Sequence, residues 1–309
     1  HDGGEFEIQK GESLITIASH LNGQTLIISQ PLFLGYAILT GQEKRFQAGK
    51  YIVPAGASSR DIVRIFARGL TEPDDIVVTI PEGTNVADID RILAKAGLVK
   101  DGDLLGSGAA ELEGYLFPDT YRLPNRQLLI ANLQQSPKPQ IQDSAVKDFV
   151  QKMKENFYAK TDGLFRGLTV QRSGEVIIIA SMLEKEVRTE SDMRLVAGII
   201  EKRLELEMPL EIDAAVAYGV CYPEFAAGRY CNVSLANIVD NIPADSEYNT
   251  YRRKGLPAGP ITNPGLKAIK AALKPEPSDY LYYLSAKDGM TIFSKTAAEH
   301  QLARRKYLK

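Results

Sequence analysis

The sequence predicts an α+β protein in which one or more small strand-and-helix modules precede a larger mixed domain. Short extended runs, each followed by a Gly-containing turn and an amphipathic helix, recur three times in the N-terminal third of the chain. Two long helical patterns follow from Val170, and the C-terminal part returns to strands and helices. Strands and helices that occupy separate parts of a chain in this way are typical of α+β folds.

The first two occurrences of the pattern lie near the N-terminus. Phe6–Ile8 is extended and precedes the helical run Ser13–Leu21, where Ser13 is a candidate N-cap because its hydroxyl can accept a backbone N–H of the first turn. The run Gly49–Gly56 repeats the extended segment and its turn, and the helical residues 58–68 follow it. We expect two related small α+β units here.

The third occurrence combines a strand at Ile76–Ile80 with a helix over Asn85–Ala96. From this organisation we predict an N-terminal domain over residues 1–72. A second small α+β subdomain with its connecting region is expected over 73–160, and the main domain over 161–309.

The middle of the chain mixes irregular and helical patterns. Glu111–Leu123 contains too many aromatic residues, glycines and prolines for a regular helix and predicts an ordered loop. A short helix is predicted over 125–136, and the prolines that follow would end it. Ala145–Ala159 predicts a charged amphipathic helix.

The strongest helical pattern begins at Val170 and forms two helices, with Thr189 and Ser191 as candidate caps of the second. The stretch Pro209–Pro264 is rich in Gly, Pro, Tyr and Asn, which predicts a long irregular segment. Such a segment inside a domain usually lines a functional site.

The C-terminal part predicts a helix, two strands joined by a turn, and a last helix. The helix covers Leu266–Leu273, the strands cover Tyr280–Leu284 and Met290–Ser294, and the last helix begins at Ala297.

The composition excludes some classes of partner and binding site. The 37 basic and 39 acidic residues leave a net charge of −2, which gives no field for a polyanion, so we expect no nucleic-acid partner. The three histidines are far apart and no short Cys/His spacing resembles a metal site, so we expect no metal and no cofactor.

Cys221 and Cys231 form a disulfide if the chain is extracytoplasmic, and two buried thiols fit the sequence equally well. No run approaches the ~20 apolar residues of a membrane span.

Two glutamates end the apolar run 176–183 and are the main candidates for chemistry. At 100° per residue, Glu186 shares a face with Met182, whereas Glu184 shares a face with Arg188. Glu186 is therefore expected to be the more buried of the two. Burial raises the pKa of a carboxyl group, so that it can hold and donate a proton near neutral pH. The alternative is a helix-end carboxylate that faces solvent or pairs with a nearby basic residue.

A second candidate region combines Tyr248, Asn249 and Tyr251. Tyrosine rings stack on sugar faces while amide and hydroxyl groups bind the ring substituents, although a plain turn has the same composition. Asp213 is a further candidate carboxylate. It could equally cap a helix that starts at Ala214, which spacing alone favours.

Several motifs, in one consistent order over about residues 75–305, resemble the YceG-like (MltG) endolytic murein transglycosylases. The N-terminal part, most clearly Phe6–Leu21, is similar to the LysM glycan-binding module, and a scaffold without a ligand fits the same pattern. The motifs that carry the YceG-like resemblance are Glu113–Tyr121, Ala180–Glu186, Leu210–Gly219, Tyr248–Tyr251, Gly255–Pro257 and Tyr280–Tyr282.

The resemblance implies an enzyme that cleaves the β-1,4 bond between N-acetylmuramic acid and N-acetylglucosamine within nascent peptidoglycan strands. It leaves 1,6-anhydro ends, terminates strand elongation and needs no cofactor. It further implies a single-pass anchor in the bacterial inner membrane, upstream of His1, with the catalytic part on the periplasmic side. Peptidoglycan glycan strands and peptidoglycan synthases are the expected partners. A glycan-binding scaffold protein and a hydrolase that adds water at the same bond are the competing interpretations.

The resemblance also assigns roles to the candidate residues. Glu186 is the expected acid/base, with Glu184 as the alternative. The residues expected to hold the sugar or line the groove are Tyr248, Asn249, Tyr251, Asp213 and Glu113. Members of the family often carry Gln-Thr-Asp where this chain has Glu211-Ile212-Asp213, which adds a negative charge near the expected site.

Overall fold

A computed structural model describes residues 3–69, 76–123, 140–286 and 288–308. The chain divides into two compact units. The first contains His1–Val77 and Arg122–Pro137, and the second contains Val78–Tyr121 and Lys138–Lys309. The helix predicted over 125–136 lies outside the described residues.

The first unit has the order β-α-α-β-α. Its elements are β1 (Gly4–Ile8), α1 (Leu14–Gly23), α2 (Gln30–Leu39), β2 (Gly49–Val53) and α3 (Ser59–Ala67). β1 and β2 form an antiparallel pair in which Phe6 lies opposite Tyr51. The first two occurrences of the sequence pattern therefore build one unit rather than two. The core forms around Phe66, whose ring lies 5.5 Å from that of Phe6 and 4.7 Å from that of Tyr51.

The N-cap predicted in this unit is confirmed, and one helix was not predicted. Ser13 accepts the backbone N–H of Thr16 at 3.2 Å, and Ser58 caps α3 in the same way. The sequence pattern did not reveal α2. Its run Gln30–Leu39 is apolar almost throughout and lacks the polar face by which an amphipathic helix is recognised.

The second unit contains most of the helices. Its elements, with the flanking strand β3, are β3 (Ile76–Thr79), α4 (Val86–Lys95), α5 (Asp103–Gly106), β4 (Thr120–Leu123), α6 (Gln140–Thr161), α7 (Val170–Glu186), α8 (Glu190–Glu205), α9 (Asp213–Ala226), α10 (Ile238–Asn241), α11 (Leu266–Leu273), β5 (Tyr282–Ser285), β6 (Thr291–Ser294) and α12 (Ala297–Tyr307). β3 pairs with β4, and β5 forms an antiparallel pair with β6. The predicted α+β class is confirmed.

The apolar run of α7 lies in the core of this unit. Val176, Ile179, Met182 and Leu183 are all buried, and α11 packs against both α7 and α8. The C-terminal end of α7 is thereby fixed against the segments that precede and include α11. Among the residues that the structure describes, no helix is both long enough and apolar enough to cross a bilayer.

Three sequence predictions for this unit need correction. Thr189 caps α8 as expected, but Asp213 does not cap α9, because Ile212 is the N-cap residue and Asp213 is the first helical residue. The stretch Pro209–Pro264 is not irregular throughout, since it contains the whole of α9. The strand expected over 280–284 lies at Tyr282–Ser285, where its residues pair with β6.

Candidate active site

The two glutamates at the end of α7 point to different neighbours. Glu184 is partly buried and accepts the backbone N–H of Gly265 at 2.8 Å. Gly265 is the N-cap residue of α11, so the Glu184 carboxylate binds a backbone N–H at the positive end of that helix. Burial raises the pKa of Glu184, and the nearby carboxylate of Glu82 raises it further.

Glu186 lies against the C-terminal hairpin instead. The hydroxyl of Tyr283, on β5, donates to Oε2 of Glu186 at 3.1 Å, and Ser285 Oγ donates to the backbone carbonyl of Glu186 at 2.9 Å. Burial of the carboxyl group raises the pKa of Glu186 to about 7. The Tyr283 hydroxyl lowers this pKa in part, and the charge of Asp213 raises it. Near neutral pH this side chain can therefore both give and take a proton.

Asp213 and Tyr251 form a pair beside Glu186. Tyr251 donates its hydroxyl to Asp213 Oδ1 at 2.6 Å, and both side chains interact electrostatically with Glu186. Asp213 is exposed at the start of α9, and Tyr251 is partly exposed. The structure thus brings together three of the predicted site residues and adds Tyr283, which sequence reasoning did not select.

The segment that carries Tyr251 is held by internal hydrogen bonds. Thr250 Oγ1 accepts the backbone N–H of Ile212 at 2.9 Å, which joins the segment to the start of α9. Asn249 is 1% exposed, and its amide donates to the carbonyl oxygens of Ile242 and Ala244 at 2.8 and 2.7 Å. Its Oδ1 accepts the backbone N–H of Tyr251. Both polar atoms of Asn249 are therefore engaged within the chain, where they shape the loop.

The ring of Tyr248 packs against two tyrosine rings of α9. Its ring centroid lies 5.0 Å from that of Tyr218 and 5.1 Å from that of Tyr222. Tyr248 is 7% exposed, whereas Tyr222 is 38% exposed. The ring of Tyr248 consequently packs between helix and loop, and Tyr222 carries the more accessible ring face of the pair.

Glu113 lies in a buried hydrogen-bond network and is 5% exposed. Its Oε2 accepts the backbone N–H of Val86 at 3.0 Å and the hydroxyl of Tyr218 at 3.1 Å. Its Oε1 accepts the amide of Asn263 at 2.8 Å. Burial raises the pKa of Glu113 to about 8, against the lowering effect of these donors. Glu113 therefore joins α4, α9 and the segment before α11.

A disulfide joins Cys221 on α9 to Cys231 in the loop that follows, so the alternative of two buried thiols is wrong. The loop is also attached to α4. Tyr230 donates its hydroxyl to Asp88 at 3.3 Å, and the guanidinium of Arg91 lies 4.3 Å from the Tyr230 ring centroid. These contacts fix the C-terminal end of the helix whose first residue is Asp213.

The chemistry available here is proton transfer by one desolvated acid. Within the described ranges, no group of three or more His, Cys, Asp or Glu side chains has the arrangement of a metal site. Oε2 of Glu186 accepts the hydroxyl of Tyr283, and the Asp213–Tyr251 pair acts on the Glu186 carboxyl group electrostatically. Hydroxyl and carboxylate groups of this kind suit a polyhydroxylated substrate.

The chain is similar to known proteins over almost its whole length. The chain is 29% identical over 329 residues to the endolytic murein transglycosylase of Bacillus subtilis, an alignment that covers 98% of this chain and 84% of the relative. It is 27% identical to the endolytic murein transglycosylase of Streptococcus pneumoniae, covering 95% of this chain and 56% of that longer protein.

Among solved structures, the crystal structure of a YceG-like protein from Listeria monocytogenes matches with a TM-score of 0.58 at 26% identity. The match covers 97% of this chain and 98% of that chain. The sequence profile of the YceG-like family matches residues 6–306, which is nearly the whole chain. This chain belongs to the YceG-like family.

Proposed function

We propose that this chain is an endolytic murein transglycosylase that cleaves the β-1,4 bond between N-acetylmuramic acid and N-acetylglucosamine inside a glycan strand. Its relatives in Bacillus subtilis and Streptococcus pneumoniae carry the name of this activity. The observation that carries the proposal is Glu186, a desolvated carboxyl group with a pKa of about 7 beside two tyrosine hydroxyls and a second carboxylate.

The reaction needs a single group that acts first as acid and then as base. Protonated Glu186 gives its proton to the glycosidic oxygen, and the bond between that oxygen and C1 of muramic acid breaks. The resulting carboxylate then takes the proton of the C6 hydroxyl while O6 bonds to C1. The proton returns to Glu186, no water is consumed, and the product carries a 1,6-anhydro ring.

The surroundings of the two glutamates support Glu186 over Glu184 as this group. Glu184 accepts the backbone N–H of Gly265 at the start of α11, whereas Glu186 accepts the side-chain hydroxyl of Tyr283 and has its pKa raised to about 7 by burial. Asp213 adds a negative charge that stabilises the positively charged, oxocarbenium-like sugar of the transition state. Tyr251 holds Asp213 in place through its hydroxyl.

Tyr248, Asn249 and Glu113 have different roles in this proposal. Tyr222 provides the aromatic surface for a sugar, and the buried ring of Tyr248 packs against it and supports it. Asn249 and Glu113 are buried and fully hydrogen-bonded, so they shape the groove without touching the substrate.

Two wider proposals concern the N-terminal unit and the location of the protein. The β-α-α-β order over residues 4–53 supports a LysM-like unit that binds the same glycan. The Cys221–Cys231 disulfide supports a site that works outside the cytoplasm, because disulfides persist in oxidising compartments. Attachment to the inner membrane and association with peptidoglycan synthases stay predictions from the family resemblance.

The test is mass spectrometry of purified glycan strands incubated with the protein, with Glu186→Gln and with Glu184→Gln. We expect new 1,6-anhydro-muramic termini from the unchanged protein and from Glu184→Gln, and none from Glu186→Gln. Circular dichroism and thermal unfolding of both variants verify that the fold is retained.

The products also separate the competing functions. New reducing ends without anhydro ends would identify a hydrolase, and strand binding without any new ends would identify a glycan-binding scaffold protein. Anhydro ends from Glu186→Gln together with an inactive Glu184→Gln would transfer the acid/base role to Glu184.

A further inference from the structure

The two carboxyl oxygens of Glu186 have different surroundings. Oε2 accepts the hydroxyl of Tyr283 at 3.1 Å. Oε1 accepts no hydrogen bond from the residues that the structure describes. Among these residues nothing competes with a substrate atom for Oε1.

Tyr283 is fixed firmly enough to maintain this difference. It lies on β5, opposite Phe293 of β6, and the neighbouring Ser285 donates to the backbone carbonyl of Glu186 at 2.9 Å. Burial raises the pKa of Tyr283 well above its ordinary value, and the charge of Glu186 adds to this effect. The hydroxyl consequently keeps its proton over the whole range in which Glu186 titrates.

We propose that Tyr283 is a positioning residue for the transglycosylase reaction, which directs proton transfer through Oε1 of Glu186 by holding Oε2. This inference rests on the proposed function. In the acid form, the proton is on Oε1 and the carbonyl oxygen Oε2 accepts the tyrosine hydroxyl. After the proton has moved to the glycosidic oxygen, the same hydroxyl donates to a carboxylate, and that hydrogen bond is stronger.

Proton balance is unchanged by this role. Oε1 gives one proton as the C1–O bond breaks and recovers one from the C6 hydroxyl as the O6–C1 bond forms. Tyr283 neither gains nor loses a proton in either step. Its contribution is to stabilise the charged form of Glu186, which lowers the barrier to proton donation.

Other groups also affect the protonation of Glu186, and the test must separate them. Asp213, at the start of α9, disfavours the charged form, and Tyr251 lies within electrostatic reach. From α8, the guanidinium of Arg203 acts on Tyr283. Replacing Tyr283 by Phe leaves all three groups in place and removes only the hydroxyl.

The decisive measurement is the titration of Glu186 by NMR in protein carrying ¹³C at the glutamate carboxyl carbons, with Glu186→Gln identifying the resonance. In Tyr283→Phe, we expect the pKa of Glu186 to rise by about one unit. The pH optimum of anhydro-end formation rises with it, and kcat at the optimum falls about tenfold while KM stays within about twofold.

Tyr280→Phe is the matched control. Tyr280 lies just before the same strand, and its ring contacts Phe293 at 5.4 Å between centroids rather than Glu186. The same loss of a hydroxyl there should leave the Glu186 titration and the pH profile unchanged.

The two proposals can fail separately. An unchanged Glu186 titration in folded Tyr283→Phe overturns the role of Tyr283, whatever the activity. A shifted titration in a protein that produces no anhydro ends keeps the hydrogen bond but overturns the transglycosylase assignment, and with it the reaction that Tyr283 was proposed to assist. A uniform loss of activity with an unchanged pH profile identifies a purely structural tyrosine.

Discussion

At the scale of single residues, the two glutamates of α7 perform separate tasks because an α-helix turns 100° per residue. Positions two apart therefore point in nearly opposite directions. Glu184 meets the N-terminus of α11 through Gly265, and Glu186 meets Tyr283 of β5. One carboxylate stabilises the junction of two helices while the other stays available for proton transfer.

We predict that Glu184→Ala lowers the free energy of unfolding by roughly 0.5–2 kcal/mol, because the backbone N–H of Gly265 then loses its hydrogen-bond acceptor. Anhydro-end formation should stay close to that of the unchanged protein. Urea denaturation at neutral pH measures the first effect and product analysis the second. A stability equal to that of the unchanged protein would contradict the capping role.

Glu113 provides a pH-dependent contribution to stability. Its pKa of about 8 in the folded protein lies above its ordinary value, so the folded state binds more protons than the unfolded state between these two pH values. The stabilisation is fully present below pH ~4.5 and is lost as the pH rises through about 8. We predict that ionisation of Glu113 lowers the free energy of unfolding of the unchanged protein by on the order of a few kcal/mol between pH 5 and 9. Glu113→Gln cannot ionise and should lack this decrease.

The measurement is chemical denaturation of Glu113→Gln and of the unchanged protein at pH 5, 7 and 9. Other groups that titrate in this range, including Glu186, contribute equally to both proteins and cancel in the difference. Parallel pH profiles would contradict the prediction even if the variant is less stable overall.

Helical periodicity was sufficient to separate the two glutamates, since it placed them on different faces of α7 and the structure gives them different partners. It could not identify Tyr283, which lies 97 residues from Glu186 along the chain. A hydrogen bond between residues so far apart leaves no local sequence pattern, because neither residue changes the periodicity of the residues that flank the other. Asp213 is not the N-cap of α9, because Ile212 is the N-cap residue and Asp213 is the first helical residue. Its carboxylate instead accepts the hydroxyl of Tyr251, which is distant in sequence.

At the scale of elements, the contact between α9 and the loop that carries Tyr248 depends on Gly219. A Cβ atom at Gly219 would lie 2.7 Å from Ser246 Oγ and 2.8 Å from Tyr248 Cβ. Both distances are shorter than side chains tolerate, so the loop can approach the helix only where the side chain is absent. The loop leads directly to Tyr251.

We predict that Gly219→Ala displaces this loop, lowers the free energy of unfolding by roughly 1–3 kcal/mol and raises KM for glycan strands. Thermal unfolding and steady-state kinetics measure the two effects. Gly174→Ala on α7 is the matched control. It has no atom within 4 Å of the added methyl group and should stabilise the helix by about 0.5–1 kcal/mol. If both substitutions have the same effect, close packing at Gly219 is not the cause.

Elements with polar N-caps and a regular apolar face could be predicted from the sequence. Ser13 and Thr189 each cap a helix with the side-chain hydrogen bond that the pattern implied. The helix α2 has such a cap in Ser29, but its apolar run gives no helical periodicity to read. In the stretch 209–264, the sequence indicated only that a helix could start at Ala214, and α9 extends from Asp213 to Ala226 with its apolar residues buried.

At the scale of the whole molecule, the recurring strand, turn and helix pattern predicted the α+β class but not how the strands combine. β1 pairs with β2 across two helices, so the pattern describes one β-α-α-β unit followed by a further helix. Strand pairing depends on contacts between distant segments, which local sequence patterns do not encode. The predicted boundaries at residues 72 and 160 stay predictions. Contact clustering divides the chain near residue 77 and assigns 122–137 to the first unit.

The late position of β5 in the chain affects when the enzyme first becomes competent during synthesis. A chain emerges from the ribosome with its N-terminus first, so Glu186 appears well before Tyr283. Until β5 has emerged and docked, the acid has neither its hydroxyl partner nor the strand that encloses it. Before β5 docks, Glu186 of a nascent chain is therefore solvated, and its enclosed environment forms only after synthesis has passed Tyr283, which lies 97 residues beyond it.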